Sequence, residues 1–160
     1  MTDKKKADKE IQVVIFRLGS EEFGARIDQV KEIIKMTHIT PMPKAPSFIK
    51  GVINLRGDVI AVIDLAGQFN LPPCKLDEEP RIIVAEVDDK ILGMLVDEVV
   101  EVLRISTENI NPTPSMIETN IDTRYIEGIG KLKDRLFILL NLKKVLSAEE
   151  VESMEKAIES

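Results

Sequence analysis

Few residues in this chain are of the types that do covalent or metal chemistry, and their spacing supports none of it. His38 is the only histidine. It has no second His, Cys or acid at ligand spacing, whereas a zinc site needs three or four N, S or O donors converging on one point. Cys74 is the single cysteine and follows Pro72-Pro73. A catalytic thiol needs a base beside it, and Cys74 has no histidine that the sequence can place there, so it reads as a tolerated loop residue. No glycine-rich stretch resembles a phosphate cradle, and no serine lies in a nucleophile-elbow pattern. Asp28 and Asp97 recur at equivalent places in two similar segments. Acids repeated beside turns are better read as acceptors for backbone N–H groups than as an acid/base pair. The chain reads as a protein that is not an enzyme and carries no metal or cofactor.

Charge and composition narrow the partners. The formal net charge is −6, and Lys4-Lys5-Lys6 is the only basic run, which argues against binding a nucleic-acid backbone through clustered cations. A small barrel that binds single-stranded nucleic acid stacks bases on aromatic side chains in a basic groove. Aromatic residues make up only 4%, with one tyrosine (Tyr125) and no tryptophan, so that platform is missing. Nothing approaches the ~18 unbroken apolar residues of a membrane span. Residues 1–10 are charged and lack the apolar stretch of a signal peptide, so they read as a disordered, solvated tail. A lone cysteine forms no internal disulfide, which fits a reducing, cytoplasmic compartment.

The strongest signal is repetition. Phe48 to Leu65 aligns without a gap on Tyr125 to Leu142, so that Gly51 meets Gly128 and Leu55 meets Leu132. Upstream, Phe23 to Ile34 aligns on Leu92 to Leu103, so that Gly24 meets Gly93 and Asp28 meets Asp97. The second copy carries eight extra residues between the two segments. Repetition on this scale implies two similar halves. Each half is about 70 residues, a size at which a core is marginal alone, so the halves are expected to share one.

Within each half, short β-rich runs are bounded by turn formers. Ile11 to Leu18 stops at Gly19-Ser20 and Phe23 to Ile27 follows, a hairpin pattern. Val52 to Leu55 and Val59 to Ile63 flank Arg56-Gly57-Asp58, a second hairpin. Val59 to Ile63 and Leu136 to Leu140 are apolar at every position, which predicts strands covered on both faces. Ile27 to Ile34 reads as a short turn followed by a strand. Pro41, Pro43 and Pro46 exclude regular ladders there, as Pro112 and Pro114 do in the other half. About five strands per half are too short and too many for an open sheet, and closing each set into a small barrel removes its edges. Leu65 to Phe69 predicts a short helical turn. Ser147-Ala148-Glu149-Glu150 is a capping box, and Val151, Met154 and Ile158 follow on one stripe of a docked C-terminal helix.

The same residues carry a family resemblance. Phe48 to Leu65, with Ile27 to Ile34 and Pro41-Met42-Pro43-Lys44-Ala45-Pro46 before it, resembles the signature of CheW, the bacterial chemotaxis coupling family. Val96 to Leu103 and Tyr125 to Gly130 resemble it as well, so the likeness covers about residues 11–158. Members often carry Pro where Ala61 stands and Arg where Ala66 stands, a mild departure. The resemblance implies an all-β fold with short helices: two intertwined five-stranded SH3-like β-barrels sharing a core, plus a C-terminal helix. The division expected is a tail at 1–10, a first barrel at 11–70, a linker at 71–79, a second barrel at 80–146 and a helix at 147–158.

It also implies a non-catalytic adaptor that joins the cytoplasmic tips of methyl-accepting chemoreceptors to the regulatory domain of the histidine kinase CheA. Such an adaptor is cytoplasmic, is recruited to membrane-associated receptor arrays without inserting in the membrane, and is expected to be a monomer in isolation. Two relatives are expected to fit less well. A receiver-fused coupling protein needs a further domain, and the kinase's own regulatory domain would follow ATP-binding segments.

Candidate site residues follow from comparing the halves. Asn54-Leu55-Arg56-Gly57 in one copy is Lys131-Leu132-Lys133-Asp134 in the other, which singles out Arg56 as either a solvated turn residue or a one-sided contact. The resemblance places Val30, Val99 and Val102 in segments that line a receptor-binding groove between the barrels, with Arg56 beside it. For each valine the alternative is burial in its own barrel. Glu32 and Gly51 are possible kinase or receptor contacts. Gly51 and Gly128, kept in both copies, read first as backbone positions at a bulge or close approach.

Overall fold

Among the described residues the chain's apolar runs become eleven strands wherever turn residues separate them. The computed structural model describes residues 10–69, 71, 79–112, 125–146, 150–153 and 156. β1 (Glu10–Leu18) turns through Gly19-Ser20 into β2 (Glu21–Arg26). A 3-10 turn, Ile27–Gln29, leads into β3 (Val30–Lys35), the expected turn and strand. β4 (Ile49–Leu55) and β5 (Asp58–Asp64) form the second hairpin. The four-residue helix α1 (Leu65–Gln68) follows, its N-terminus held by Asp64. In the second copy, β6 (Arg81–Val87) and β7 (Lys90–Val96) form a hairpin, and β8 (Glu98–Ser106) succeeds them. β9 (Ile110–Asn111), β10 (Ile126–Lys131) and β11 (Leu136–Leu140) complete the set.

Each sheet takes strands from both copies. One has the order β8-β1-β2-β11-β10-β9 and the other β3-β6-β7-β5-β4. Mapping each strand onto its repeat partner converts one order into the other, with Thr40 standing where β9 stands. Thr40 exchanges backbone hydrogen bonds of 2.8 and 2.9 Å with Val52, as β9 pairs with β10. Each copy therefore gives its first hairpin to one sheet and its later strands to the other. The division at residues 70–80 separates the repeats, but it does not separate the sheets. The crossing is physically required by parallel pairing: β2 lies parallel to β11 and β5 parallel to β7, and parallel neighbours cannot be joined by a tight turn.

Strand periodicity sorts the side chains into three cores. Ile53, Ile60, Val62, Ile82, Val84 and Leu95 fill the interior of one barrel. Val13, Ile15, Ile105, Phe137 and Leu139 fill the other. The alternate faces (Phe16, Phe23, Ile63, Ile83, Met94 and others) meet in a larger cluster shared between the sheets. That sharing explains why β5, β6 and β11 are apolar at consecutive positions: odd and even residues face different cores. The exceptions are the first residues, Val59 and Leu136, which occupy equivalent places and are exposed. The interiors compensate in volume. Ile53 and Ile60 of one barrel are replaced by Gly130 and Phe137 in the other, and a Cβ on Gly130 would lie 2.8 Å from a carbon of the Phe137 ring.

Residues 150–153 and 156 are helical, and Val151 is buried against the shared core. The tail at 1–9, Cys74 with most of the linker, Pro114, and Ser147, Met154 and Ile158 lie outside the described residues.

Candidate functional site

β3 and β8 are the equivalent edge strands of the two sheets, and each carries a bulge at the same place. On β3 the register shifts between Val30, opposite Ala85, and Glu32, opposite Val84. On β8 it shifts so that Val99 faces Phe16 while Glu101 faces Ile15. Lys31 and Val100 are the inserted residues. A bulge realigns the alternation, so residues three apart share a face: Val30 with Ile33, and Val99 with Val102. Val30, Ile33 and Val99 all pack, partly buried, against the shared core, while Val102 is 45% exposed. Partial burial and exposure thus coexist along one face. Ile33, the repeat partner of Val102, was not among the residues singled out from sequence. The two-residue spacing of an ideal strand would have put it on the wrong side of β3.

Arg56 and Glu32 form a bidentate ion pair, with both guanidinium nitrogens 2.7 Å from the carboxylate oxygens. Arg56 occupies the β4–β5 turn at φ 53°, and Glu32 lies on the opposite edge in strand order. The pair therefore joins the two ends of the sheet. The Arg56 hydrogen bonds hold the Glu32 carboxyl below the usual carboxylate range, against a smaller desolvation effect, and raise the Arg56 guanidinium in turn.

The other sheet closes in the same manner with a different residue. Glu101, the repeat partner of Glu32, accepts from Arg135 at 2.5 Å, and Arg135 also donates to Glu22 at 2.6 Å. The hydrogen bonds Arg135 donates to Glu101 and then to Glu22 push its pKa up. Arg56 is thus not one-sided, which corrects the reason for selecting it. The gapless alignment set Arg56 against Lys133 and hid Arg135, two residues further along the same hairpin.

Gly51 and Gly128 are buried at equivalent bulges, where the register shifts between Ile49 and Gly51 and between Ile126 and Gly128. A Cβ on Gly51 would meet the Thr40 carbonyl, and one on Gly128 would lie 2.7 Å from the Asn111 carbonyl oxygen. Both glycines are thus at the backbone close approaches expected of them, and Gly51 is buried. Asp97 accepts a hydrogen bond from the Gly19 N–H at 2.8 Å, the turn-capping role expected of it, whereas Asp28 is exposed. His38 has no metal-binding company: among the described residues no cluster of three His, Cys, Asp or Glu could hold an ion.

The matching family model is the CheW-like domain, over residues 12–150. The chain belongs to the CheW-like domain family. It is 37% identical over 149 residues to the chemotaxis protein CheW of Klebsiella aerogenes, covering 93% of this chain and 89% of that one. It is 37% identical over 142 residues to the probable chemotaxis protein CheW of Rhizobium etli, covering 89% and 91%. Among solved structures, the scaffolding protein TtCheW from Thermoanaerobacter tengcongensis superposes with a TM-score of 0.78 at 37% identity, covering 88% of this chain and 90% of that one. With the family go the double-barrel fold and the role of a coupling adaptor in chemotaxis signalling. The nucleic-acid alternative is not favoured. No described helix is long and apolar enough to cross a membrane.

Proposed function

We propose that this chain joins the cytoplasmic tips of methyl-accepting chemoreceptors to the regulatory domain of the kinase CheA, without catalysing a reaction, at receptor arrays that recruit it from the cytoplasm. The observation that carries this reading is the matched pair of bulged edge strands, which present Val30 with Ile33 and Val99 with Val102 around the shared core. A receptor tip is a helical hairpin, and an amphipathic helix laid into an apolar groove is a recurrent binding mode. Arg56 and Glu32 form an exposed charge pair at β3, Glu32 on the face of that strand opposite Val30 and Ile33, and are suited to a polar rim. Each repeat supplies one edge strand, so the groove needs the whole chain, and one copy suffices to build it.

Energy in such contacts concentrates in a few desolvated residues at about 2 kcal/mol or more each, while exposed charges contribute ~0.2–1 kcal/mol. Val102→Asp places a carboxylate on the exposed part of the face and spares the core. Val99→Asp does the same nearer the core and needs circular dichroism to establish that it folds. Both are expected to weaken binding to a soluble receptor-tip fragment far more than Lys31→Ala, which removes only an exposed charge 3.9 Å from Glu86. Folded Val102→Asp and Val99→Asp variants that bind the fragment as wild type does would move the groove elsewhere.

A further inference from the structure

Among the described residues Asp97 is the buried polar one, at 2% exposure, and it stands where the chain leaves β7 in one sheet to begin β8 in the other. Three bonds tie that crossing to the β1–β2 hairpin. The Asp97 N–H donates to the Arg17 carbonyl at 3.0 Å. The Gly19 N–H donates to Asp97 Oδ2 at 2.8 Å. The Arg17 guanidinium donates to the Glu98 carboxylate at 3.0 Å. Asp97 Oδ1 has no partner among the described residues. A carboxylate buried with one oxygen unmatched is a poor way to stabilise a fold, and an asparagine oxygen could accept the same Gly19 bond. The repeat supplies an internal comparison. Asp28, the partner of Asp97, is exposed and makes no such bond among the described residues. It lines an open cleft of about 440 Å³ with Glu86, Asp88, Asp89, Lys31 and Lys143, where Asp88 stands in place of Gly19.

We propose that Asp97 is a positioning residue that latches the start of β8, and with it Val99 and Val102, onto the β1–β2 turn, while the equivalent start of β3 is tied elsewhere, through Gln29, which donates to Asn141 Oδ1 at 3.1 Å and accepts from the Leu142 N–H at 3.0 Å. The proposal rests on the groove reading above for its consequence in binding, but the latch itself is measurable without any partner. In Asp97→Ala the Gly19 amide and the amides of Glu98 to Val102 lose protection in hydrogen exchange, while the interior of the other barrel keeps its protection. Binding of a soluble receptor-tip fragment weakens by about fivefold or more, the factor that goes with losing one acceptor for a backbone N–H. Asp97→Asn, which keeps an acceptor oxygen for Gly19, restores both. Ile53→Ala, a truncation in the interior of the other barrel, lowers the melting temperature yet changes binding less than about twofold, as expected of a site independent of the latch.

Four results overturn the proposal: unchanged Gly19 exchange in Asp97→Ala, unchanged fragment binding in that variant, failure of Asp97→Asn to restore protection, or an equal loss of binding in Ile53→Ala. Wild-type binding by Val102→Asp and Val99→Asp would instead defeat the groove reading and leave the exchange result standing.

Discussion

Adding one methyl group at Gly51 tests whether that residue serves the backbone or a partner. Its Cβ would collide with the Thr40 carbonyl and with the Ile39 side chain at 2.6 Å, and the residue is buried. Backbone cannot swing aside as a side-chain tip can, so the overlap is relieved by moving the Thr40 strand. Overpacking of this kind costs about 1–3 kcal/mol. The Thr40–Val52 bridge next to it, with bonds of 2.8 and 2.9 Å, is worth about 1 kcal/mol more if one bond is lost. Gly51→Ala is therefore expected to destabilise by about 2–4 kcal/mol, or roughly 5–15 °C in melting temperature for a domain this size. Gly57→Ala is the comparison: nothing lies within 4 Å of the added Cβ, and only its φ of 92° opposes the change. That backbone strain is worth about 1–2 kcal/mol. Thermal and urea melts followed by circular dichroism measure both. A Gly51→Ala protein that melts within about 1 °C of wild type would refute the close approach. If it also lost partner binding, Gly51 would be a contact after all.

Three further outcomes are expected. In Arg56→Ala, the NMR titration midpoint of the Glu32 carboxyl rises toward its ordinary value; because the folded pKa is depressed, the pair's stabilising contribution is present above the unfolded-chain pKa and fades as pH falls through the folded one. An unmoved midpoint would mean the pair does not persist in solution. Phe137→Ala is expected to cost about 3–5 kcal/mol, because Gly130 and Gly24, against which the ring lies, have no side chains to move into the space; a loss under 1 kcal/mol in urea melts would contradict that packing. Residues 1–79 expressed alone are expected to fold poorly, since β1 and β2 lose β8 and β11 while β3 and β5 lose β6 and β7; a dispersed NMR spectrum with a sharp melt would count against the interleaved sheets.

Much of this architecture was legible because the sequence repeats itself. The hairpins at Gly19-Ser20 and Arg56-Gly57, the turn before Val30 and the helix at Leu65 follow from turn residues and apolar runs. Apolar residues at consecutive positions in Val59 to Ile63 signalled two-sided burial from Ile60 onward. What local pattern could not supply was the exchange of strands between copies, because parallel pairing of β2 with β11 leaves no mark in either segment. The same gap hid the site's details. Ile33 escaped notice because a bulge is one extra residue in a strand and has no composition of its own here. Arg135 escaped because an arginine reaching a carboxylate can stand at either of two hairpin positions, so equivalent contacts need not align. Asp97 was recognised as a turn-capping acid, yet its turn lies 78 residues away, a distance only the fold closes.

As proposed, one copy of this chain holds receptor and kinase together. Receptor-containing membranes, purified CheA and the chain are mixed and sedimented, with the chain omitted or replaced by folded Val102→Asp in parallel tubes. Kinase is expected in the pellet only when the wild-type chain is present, with the variant leaving most of it in the supernatant. Kinase that pellets equally well without the chain, or a wild-type chain that stays in the supernatant, would contradict it.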